Sequence, residues 1–226
     1  GQTIMQLFHD RLKHTNVFSA EEAIIRGVSN IGSGIAGLDL LPSSLDLVSL
    51  QDYLIQIPSN GVFSQRPLTI LGETIAEAIN SYDFVLIDCP PNLGLITQNG
   101  LILSQYYLIP VIPDVLSTYG IPQIIQRIKL LERETGLPIE PLGLVVNKFR
   151  EQGKSLYENR LRVLQGSIDK GGYRRIFSTI IPESSRAAAV MDFTAKYKNL
   201  HNKYTYATPY QQYKSLTEEV LKYVRT

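Results

Sequence analysis

Cysteine and tryptophan are nearly missing from this chain of 226 residues, which has one cysteine, Cys89, and no tryptophan. A single thiol excludes a disulfide within the chain, and it agrees with a reducing compartment. Long apolar runs are also missing, since none approaches the roughly 20 residues that a membrane-spanning helix needs. These absences favour a cytoplasmic globular protein, and the length fits one large domain.

A large net charge is absent too, but the charges are unevenly distributed. The formal net charge is +1, yet residues 1–144 carry 7 basic and 14 acidic side chains, whereas residues 145–226 carry 15 and 7. A basic half of this size suggests a surface for a polyanion. A solvated, lysine-rich surface is the other interpretation.

Short apolar strands alternate with amphipathic helices, which predicts an α/β fold with a mostly parallel sheet between layers of helices. The predicted strands are Leu38–Pro42, Phe84–Asp88, Tyr106–Pro113, Leu142–Asn147 and Ile176–Pro182. The predicted helices include one that begins at the Ser19/Glu22 capping box, one that ends at Gly136, and those over 69–80, 97–104, 155–166 and 210–224.

In the stretch FVLIDCPPNLG, an apolar run is followed by a charged residue, Asp88. Phe84–Asp88 has no polar alternation apart from Asp88, so we predict a central strand that is buried on both faces. Pro90 and Pro91 cannot continue a strand, because proline has no backbone N–H for the ladder. The run therefore ends at the carboxyl edge of the predicted sheet, where α/β proteins bind ligands.

Polar groups at this edge fit a nucleotide. Asp88 could hold a magnesium ion through water, and loop N–H groups around Asn92–Gly94 could face a phosphate. The alternative is a strand that merely ends at the surface with an acidic acceptor.

Two later strand ends carry similar signals. Asn147 follows a strand, and an N-K-x-D motif there would read guanine, but the fourth position is Arg150, which only donates hydrogen bonds. Asn147 could still address adenine. The turn Pro182, Glu183 and Ser184 could wrap a base with backbone groups, and an ordinary helix cap is the alternative.

Three stretches in this order resemble the ParA/MinD family of deviant Walker ATPases, and most of all the ParA-type partition proteins. The similarity is strongest in YDFVLIDCPPNLGLITQNGLILSQYYLIPVIPDVLSTYGI, and it extends to LDLLPSSLDL, IIPESSRAA and YQQYKSLTEEVLKYV. It implies a P-loop type of three-layer α/β sandwich. The family's glycine-rich phosphate loop with its lysines is nowhere in the sequence, and GSGIAG and EQGKSLYENR are poor substitutes. We therefore expect residues 1–226 to be a single ParA-like ATPase domain that lacks its N-terminal strand, P-loop and first helix.

The resemblance also implies a mechanism and roles for particular residues. In the full-length form we expect an ATPase that binds ATP and Mg²⁺, forms a homodimer, binds DNA nonspecifically and answers to a ParB-like or cargo-adaptor protein. The cargo would be a plasmid, a chromosome or a protein organelle. Asp88 would hold the magnesium water shell and take part in catalysis, and Gly94, Asn147, Pro182, Glu183 and Ser184 would bind the nucleotide. The predicted DNA contacts are Arg150, Arg160, Arg162, Lys170, Arg174, Arg175, Lys196, Lys198 and Lys203.

Two other functions remain open on the sequence. One is a noncatalytic ParA-like scaffold that binds DNA or a partner. The other is a MinD-like ATPase that binds the membrane through its C-terminal helix. Tyr213, Leu216, Val220 and Tyr223 form a stripe on that helix, which we interpret as a packed face and not as an anchor. We therefore expect no membrane partner and a cytoplasmic, nucleoid-associated protein.

Overall fold

The computed structural model describes residues 2–47, 49–50, 68–90, 92–150, 154–169, 172–190, 193–204 and 208–224. Its contacts divide the chain into two compact units, and each is described by itself. The first unit comprises Gly1–Ser29 and Gly34–Gln105, and the second comprises Asn30–Ser33 and Tyr106–Thr226.

The first unit is built from helices around a small apolar core. Its helices are α1 (Ile4–Lys13), α2 (Ala20–Ala23), α3 (Ile70–Ile79) and α4 (Leu95–Leu103). The Ser19 side chain accepts the N–H of Glu22 at the start of α2, as the capping box predicts. The core consists of Leu7, Phe8, Leu47, Ile70, Leu71 and Ile75.

Buried Asn99 joins α4 to α3. Its side-chain oxygen accepts the N–H of Leu71 at 3.0 Å, and its amide donates to the carbonyl of Leu95 at 2.9 Å. An orphan N–H at the start of α3 is thereby satisfied. The predicted helices over 69–80 and 97–104 are thus confirmed with small shifts at their ends.

The prediction of a central buried strand at Phe84–Asp88 is wrong for the described part of the chain. No described strand pairs with this segment, and Phe84, Val85 and Leu86 are 48%, 46% and 95% exposed. A strand exists only beside a hydrogen-bonded neighbour, so an apolar run by itself does not make one. The predicted strand Leu38–Pro42 is likewise reduced to an isolated antiparallel bridge between Ile25 and Leu40.

The second unit contains a parallel pair of strands with helices packed against them. The strands are β1 (Tyr106–Val111) and β2 (Glu140–Val146), joined through α5 (Val115–Thr135). The remaining helices are α6 (Lys154–Gly166), α7 (Ser185–Ala189), α8 (Leu200–Lys203) and α9 (Thr208–Val224). The predicted α/β class with a parallel sheet and flanking helices is confirmed.

The helix between the two strands follows its predicted pattern. Ile121, Ile125, Ile128 and Leu131 of α5 are buried. Gly136 caps the helix with φ 71°, a left-handed conformation that suits glycine. Its buried face packs on β1 and β2, where Val111, Leu144 and Val146 belong to the same core.

The segment predicted as the strand Ile176–Pro182 pairs with β2 only in part. Its two parallel bridges join Leu144 to Ile176 and Phe149 to Pro182. Between them, the N–H groups of Ser178 and Thr179 donate to the carboxylate of Glu219 on α9, at 2.7 and 3.0 Å. Phe177 and Ile181 donate to β2, so the N–H of Thr179 would be the donor between them in a continuous ladder, and the Glu219 carboxylate takes it instead.

The C-terminal helix α9 packs on this sheet, as the sequence predicts. Leu216, Val220 and Val224 contact a core made by Leu142, Val145, Phe177 and Ile181. Tyr213 and Tyr223 of the same stripe stay 37% exposed. Within the described residues, no helix combines the length and hydropathy that crossing a membrane requires.

Candidate functional site

The carboxyl end of β2 brings together two of the predicted base-binding segments. Asn147 follows β2 directly, and its N–H donates to the carbonyl of Val111 at 2.8 Å. Beyond it, the N–H of Phe149 donates to the carbonyl of Ile181 at 3.1 Å, and the N–H of Glu183 donates to the carbonyl of Phe149 at 2.8 Å. Asn147–Phe149 and the Pro182–Ser184 turn are therefore neighbours, although 33 residues separate Arg150 from Glu183 in sequence.

The side chain of Asn147 has a defined orientation. Its Oδ1 accepts the N–H of Lys148 at 2.8 Å, and Lys148 has φ 51° in the left-handed region. The oxygen keeps a second lone pair and the side-chain NH₂ group carries two donors, so the amide can both accept from and donate to a ligand. An amide donor there suits an acceptor nitrogen on a base edge.

The Pro182–Ser184 turn leads into α7. Ser184 Oγ accepts the N–H of Ala187 at 3.2 Å, so Ser184 caps this short helix. Across the turn, Arg150 forms an ion pair with Glu183, with Nε 2.6 Å from Oε2. The structure thus joins a predicted DNA contact to a predicted nucleotide contact.

The other predicted nucleotide residues lie in the first unit. The side chain of Asp88 is exposed, at the end of the extended Phe84–Asp88 segment. Gly94 is the N-cap of α4, and its N–H donates to Asn92 Oδ1 at 3.2 Å. This amide, predicted to face a phosphate, is therefore engaged within its own loop.

A small residue brings α4 close to the Phe84–Asp88 segment. A Cβ at Gly100 would lie 3.0 Å from Cγ2 of Ile87 and 3.5 Å from Sγ of Cys89. Ile87 and Cys89 therefore approach the helix, although Cys89 is itself exposed, as are Leu86 and Asp88.

Arg26, Asp39 and Tyr82 form a polar cluster in the first unit that the sequence analysis missed. The Asp39 carboxylate accepts from Tyr82 Oη at 2.6 Å, from the N–H of Gly27 at 2.8 Å and from Arg26 Nη1 at 2.7 Å. These hydrogen bonds lower the pKa of Asp39 to about 2, and the bond from Tyr82 makes the largest contribution. Asp39 and Tyr82 are 43 positions apart, so no local sequence pattern predicts their contact.

Several predicted DNA-binding side chains already have partners in the second unit. Arg174 pairs with Glu140 at 2.9 Å, and the Arg175 guanidinium lies 3.5 Å from the centre of the Tyr223 ring. Nζ of Lys203 donates to Asn30 Oδ1 at 2.8 Å, and Arg162 donates to Asn159 at 3.3 Å. Arg160 is half-buried, Lys196 and Lys198 are exposed, and Lys170 lies outside the described residues.

The Arg174 side chain contacts the end of β2 opposite Asn147, and the Arg175 backbone lies beside the middle of the strand. Glu140, the partner of Arg174, is the first residue of β2, and the carbonyl of Arg175 accepts the N–H of Leu144 at 3.0 Å. A Cβ at Gly143 would lie 2.8 Å from that carbonyl oxygen, so the close approach depends on glycine there. The Arg174 side chain therefore reaches the amino end of β2, while Arg175 lies beside Gly143 and Leu144.

Comparison with known proteins identifies the class as a P-loop ATPase of the ParA/MinD type. The AAA_31 family model, an AAA domain, matches residues 3–140, and the chain belongs to this family. The chain is 29% identical to the chromosome-partitioning ATPase Soj of Treponema pallidum over 157 residues. This alignment covers 70% of this chain and 54% of Soj. The chain spans about half the length of the curated relatives it matches.

Solved structures support the same fold. Cobyrinic acid a,c-diamide synthase from Mycobacterium smegmatis, with a bound ATP analog and magnesium, has a TM-score of 0.69 at 18% identity, covering 96% of this chain and 72% of that one. Apo McdA of Cyanothece has a TM-score of 0.62 at 17% identity, covering 95% and 77%. The predicted P-loop NTPase type is confirmed.

In the second unit, the Asn147 side chain and the backbone of the Pro182–Ser184 turn offer hydrogen-bond groups that suit a base. In the first unit, taken by itself, the exposed Asp88 carboxylate could accept hydrogen bonds from a hydrated Mg²⁺ ion. In the described ranges, no group of three or more acidic, histidine or cysteine side chains could hold a bare metal. The GSGIAG stretch offers no cradle at Gly34, because its backbone packs against the carbonyl of Gly27. No step is therefore assigned to the phosphates.

Proposed function

We propose that this chain is the base-binding and magnesium-shell part of a ParA-like ATPase that positions a cargo. The observation that carries this proposal is the backbone pairing of Phe149, two residues beyond Asn147, with the Pro182–Ser184 turn at the carboxyl end of β2. Two segments chosen for nucleotide chemistry from the sequence converge there, in a chain of the ParA/MinD type. ATP and Mg²⁺ are the expected ligands, because a structural neighbour holds an ATP analog and magnesium.

Each site residue then has a role. The Asn147 side chain donates to the base, and the backbone of the turn lines its other side. Asp88 orders water around the magnesium ion. The elements that hold the β- and γ-phosphates come from polypeptide outside the described residues, since a P-loop NTPase needs such a cradle.

We further propose that the ATP-bound form is a homodimer that binds DNA without sequence preference and responds to an adaptor protein. Support comes from the relatives, since Soj is named a chromosome-partitioning ATPase and PomZ of Myxococcus xanthus a cell division protein. The excess of basic side chains in residues 145–226 agrees with a polyanionic partner. A cytoplasmic, nucleoid-associated location would follow from DNA binding.

The test uses this chain together with any segment that precedes or follows it in its gene. ATP turnover is measured with and without duplex DNA, and molar mass is measured by light scattering with ADP and with a slowly hydrolysed ATP analogue. We expect turnover, a doubling of mass with the analogue only, and DNA binding by that form.

A noncatalytic scaffold is the second candidate, favoured by the lack of a phosphate cradle in the described residues. It predicts DNA or partner binding that is unaffected by ATP, and no turnover above background. The same measurements therefore separate the two candidates.

A further inference from the structure

The ion pair between Arg150 and Glu183 has no role in the function proposed so far. Nε of Arg150 lies 2.6 Å from Oε2 of Glu183, and Nη2 lies 2.8 Å from Oε1. Two parallel N–H···O contacts make a bidentate pair, which sets orientation as well as distance. Lysine, with a point charge, cannot reproduce this geometry.

The pair continues a row of contacts between two loops. Backbone hydrogen bonds connect Phe149 to Ile181 and Glu183 to Phe149, and among the described residues these are the last between the two loops. The next residue along the first loop is Arg150, whose side chain returns to Glu183. The Arg150–Glu183 pair therefore closes the Pro182–Ser184 turn one residue beyond these backbone bonds.

We propose that Arg150 and Glu183 are positioning residues of the base site, holding the Pro182–Ser184 turn at a fixed distance from the Asn147 side chain. This inference rests on the proposed function, because it concerns the same site. Arg150 acts through Glu183 and not on DNA, since two of its donors are committed to the carboxylate. Base selectivity then depends on the pair being intact.

The charges at this turn support the assignment. Glu183 alone would place a carboxylate beside a site for a polyanionic nucleotide, and Arg150 neutralises it. The hydrogen bond from Arg150 lowers the pKa of Glu183, so the carboxylate stays ionised and the pair persists at neutral pH.

Because the Arg150–Glu183 pair is exposed, its loss can change the position of the turn without changing the stability of the protein. The side chains of Arg150 and Glu183 are 58% and 46% exposed, and pairs at such positions add little to the free energy of unfolding. The backbone bonds and the buried core hold the fold. Loss of the pair should therefore loosen the turn without unfolding the protein.

The experiment uses the isotope-labelled 226-residue chain with adenosine and inosine as probes. Inosine has a carbonyl group where adenosine has its amino group, and the adjacent ring nitrogen is a donor in inosine and an acceptor in adenosine. Amide NMR shifts of Asn147 and Glu183 report binding, and the ratio of the two dissociation constants reports selectivity. We expect adenosine to bind more tightly than inosine. Glu183→Gln and Arg150→Gln should each reduce that ratio about threefold or more, because a displaced turn no longer matches the amino group.

Rescue and control variants make the test specific. The double variant Arg150→Glu with Glu183→Arg should recover part of the selectivity, because it restores a pair. Lys214→Gln removes an ion pair of similar exposure on α9 and should leave the ratio unchanged. The melting temperature should be the same in all variants.

Each contrary outcome has a distinct meaning. If adenosine moves no resonance of Asn147 or Glu183 in the wild-type chain, the base site itself is rejected, and this inference with it. If adenosine binds but the ratio is unaffected by Glu183→Gln, the pair has no positioning role and the base site stands. A loss of selectivity that the reversed pair does not rescue would also overturn the inference.

Discussion

The Tyr82 hydroxyl donates a hydrogen bond of 2.6 Å to the carboxylate of Asp39. Together with Arg26 and the N–H of Gly27, it surrounds a carboxylate that is only 10% exposed. This contact joins the segment that follows α3, which contains Tyr82, to the segment that contains Asp39. The fold therefore favours the ionised form of Asp39.

A pH dependence of stability follows from this contact. The pKa of Asp39 is lowered from 3.8 to about 2 in the folded protein. The stabilisation is therefore complete above the unfolded pKa and is lost as pH falls through the folded one. Asp39→Asn should lower the melting temperature at neutral pH and flatten its decline between pH 4 and pH 2. A variant with the wild-type slope in that window would show that other carboxylates cause the decline.

Asp88→Ala should reduce ATP turnover about tenfold or more, on the order of 1.4 kcal/mol of barrier height, because the magnesium water shell loses its acceptor. The measurement requires this chain with its neighbouring gene segments. Since the Asp88 side chain is exposed, the Asp88→Ala variant should have the melting temperature of the wild-type protein. Asp83→Ala, at the other end of the same segment, is the matched control and should keep its turnover. Wild-type turnover in Asp88→Ala would make Asp88 a surface residue only.

Arg174→Ala combined with Arg175→Ala should weaken DNA binding and reduce its salt dependence. Contacts with Z phosphates produce a slope near −0.9Z in log K against log salt, so loss of contacts flattens the slope. Fluorescence anisotropy with two unrelated duplexes measures both quantities. Arg127→Ala on α5 is the control outside the basic half. Unchanged affinity and slope in the double variant, or strong preference for one duplex, would contradict a sequence-blind DNA surface.

Glu219→Ala should destabilise the second unit by about 1 to 3 kcal/mol, because three donors at Ser178 and Thr179 lose their acceptor. Denaturant unfolding followed by circular dichroism measures the loss. Glu218→Ala is the neighbouring control, since its only described ion pair is a 3.8 Å contact with Lys214 on the exposed face. Equal losses in both variants would mean that the acceptor is dispensable.

Leu86→Lys should reduce self-association of the 226-residue chain without lowering its melting temperature. Leu86 is 95% exposed in a segment that forms no strand within the described residues, and lysine at such a position discourages strand pairing between molecules. Light scattering at rising concentration tests this expectation. Leu116→Lys, at an 83% exposed helical position, should have a smaller effect. A large fall in the melting temperature would show that Leu86 is buried in solution.

Local sequence patterns predicted most of the helices and both paired strands. Helix α5 was predictable from short-range signals, namely the apolar spacing of Ile121, Ile125 and Ile128 and the cap at Gly136. Such signals can be recognised in a short stretch of sequence without knowledge of the fold. The order of strand ends also pointed to Asn147 and to the Pro182–Ser184 turn. Which function these residues serve is a prediction that awaits the experiments above.

The sequence by itself determined the α/β class and the family resemblance, because periodicity, capping and strand-end motifs are local. Only the tertiary structure decided which strands exist, since Phe84–Asp88 needs a hydrogen-bonded neighbour and the Ser178 and Thr179 donors go to Glu219 instead. It also paired Arg150 with Glu183 and Asp39 with Tyr82. Such contacts depend on how distant segments meet, and no local pattern encodes that meeting.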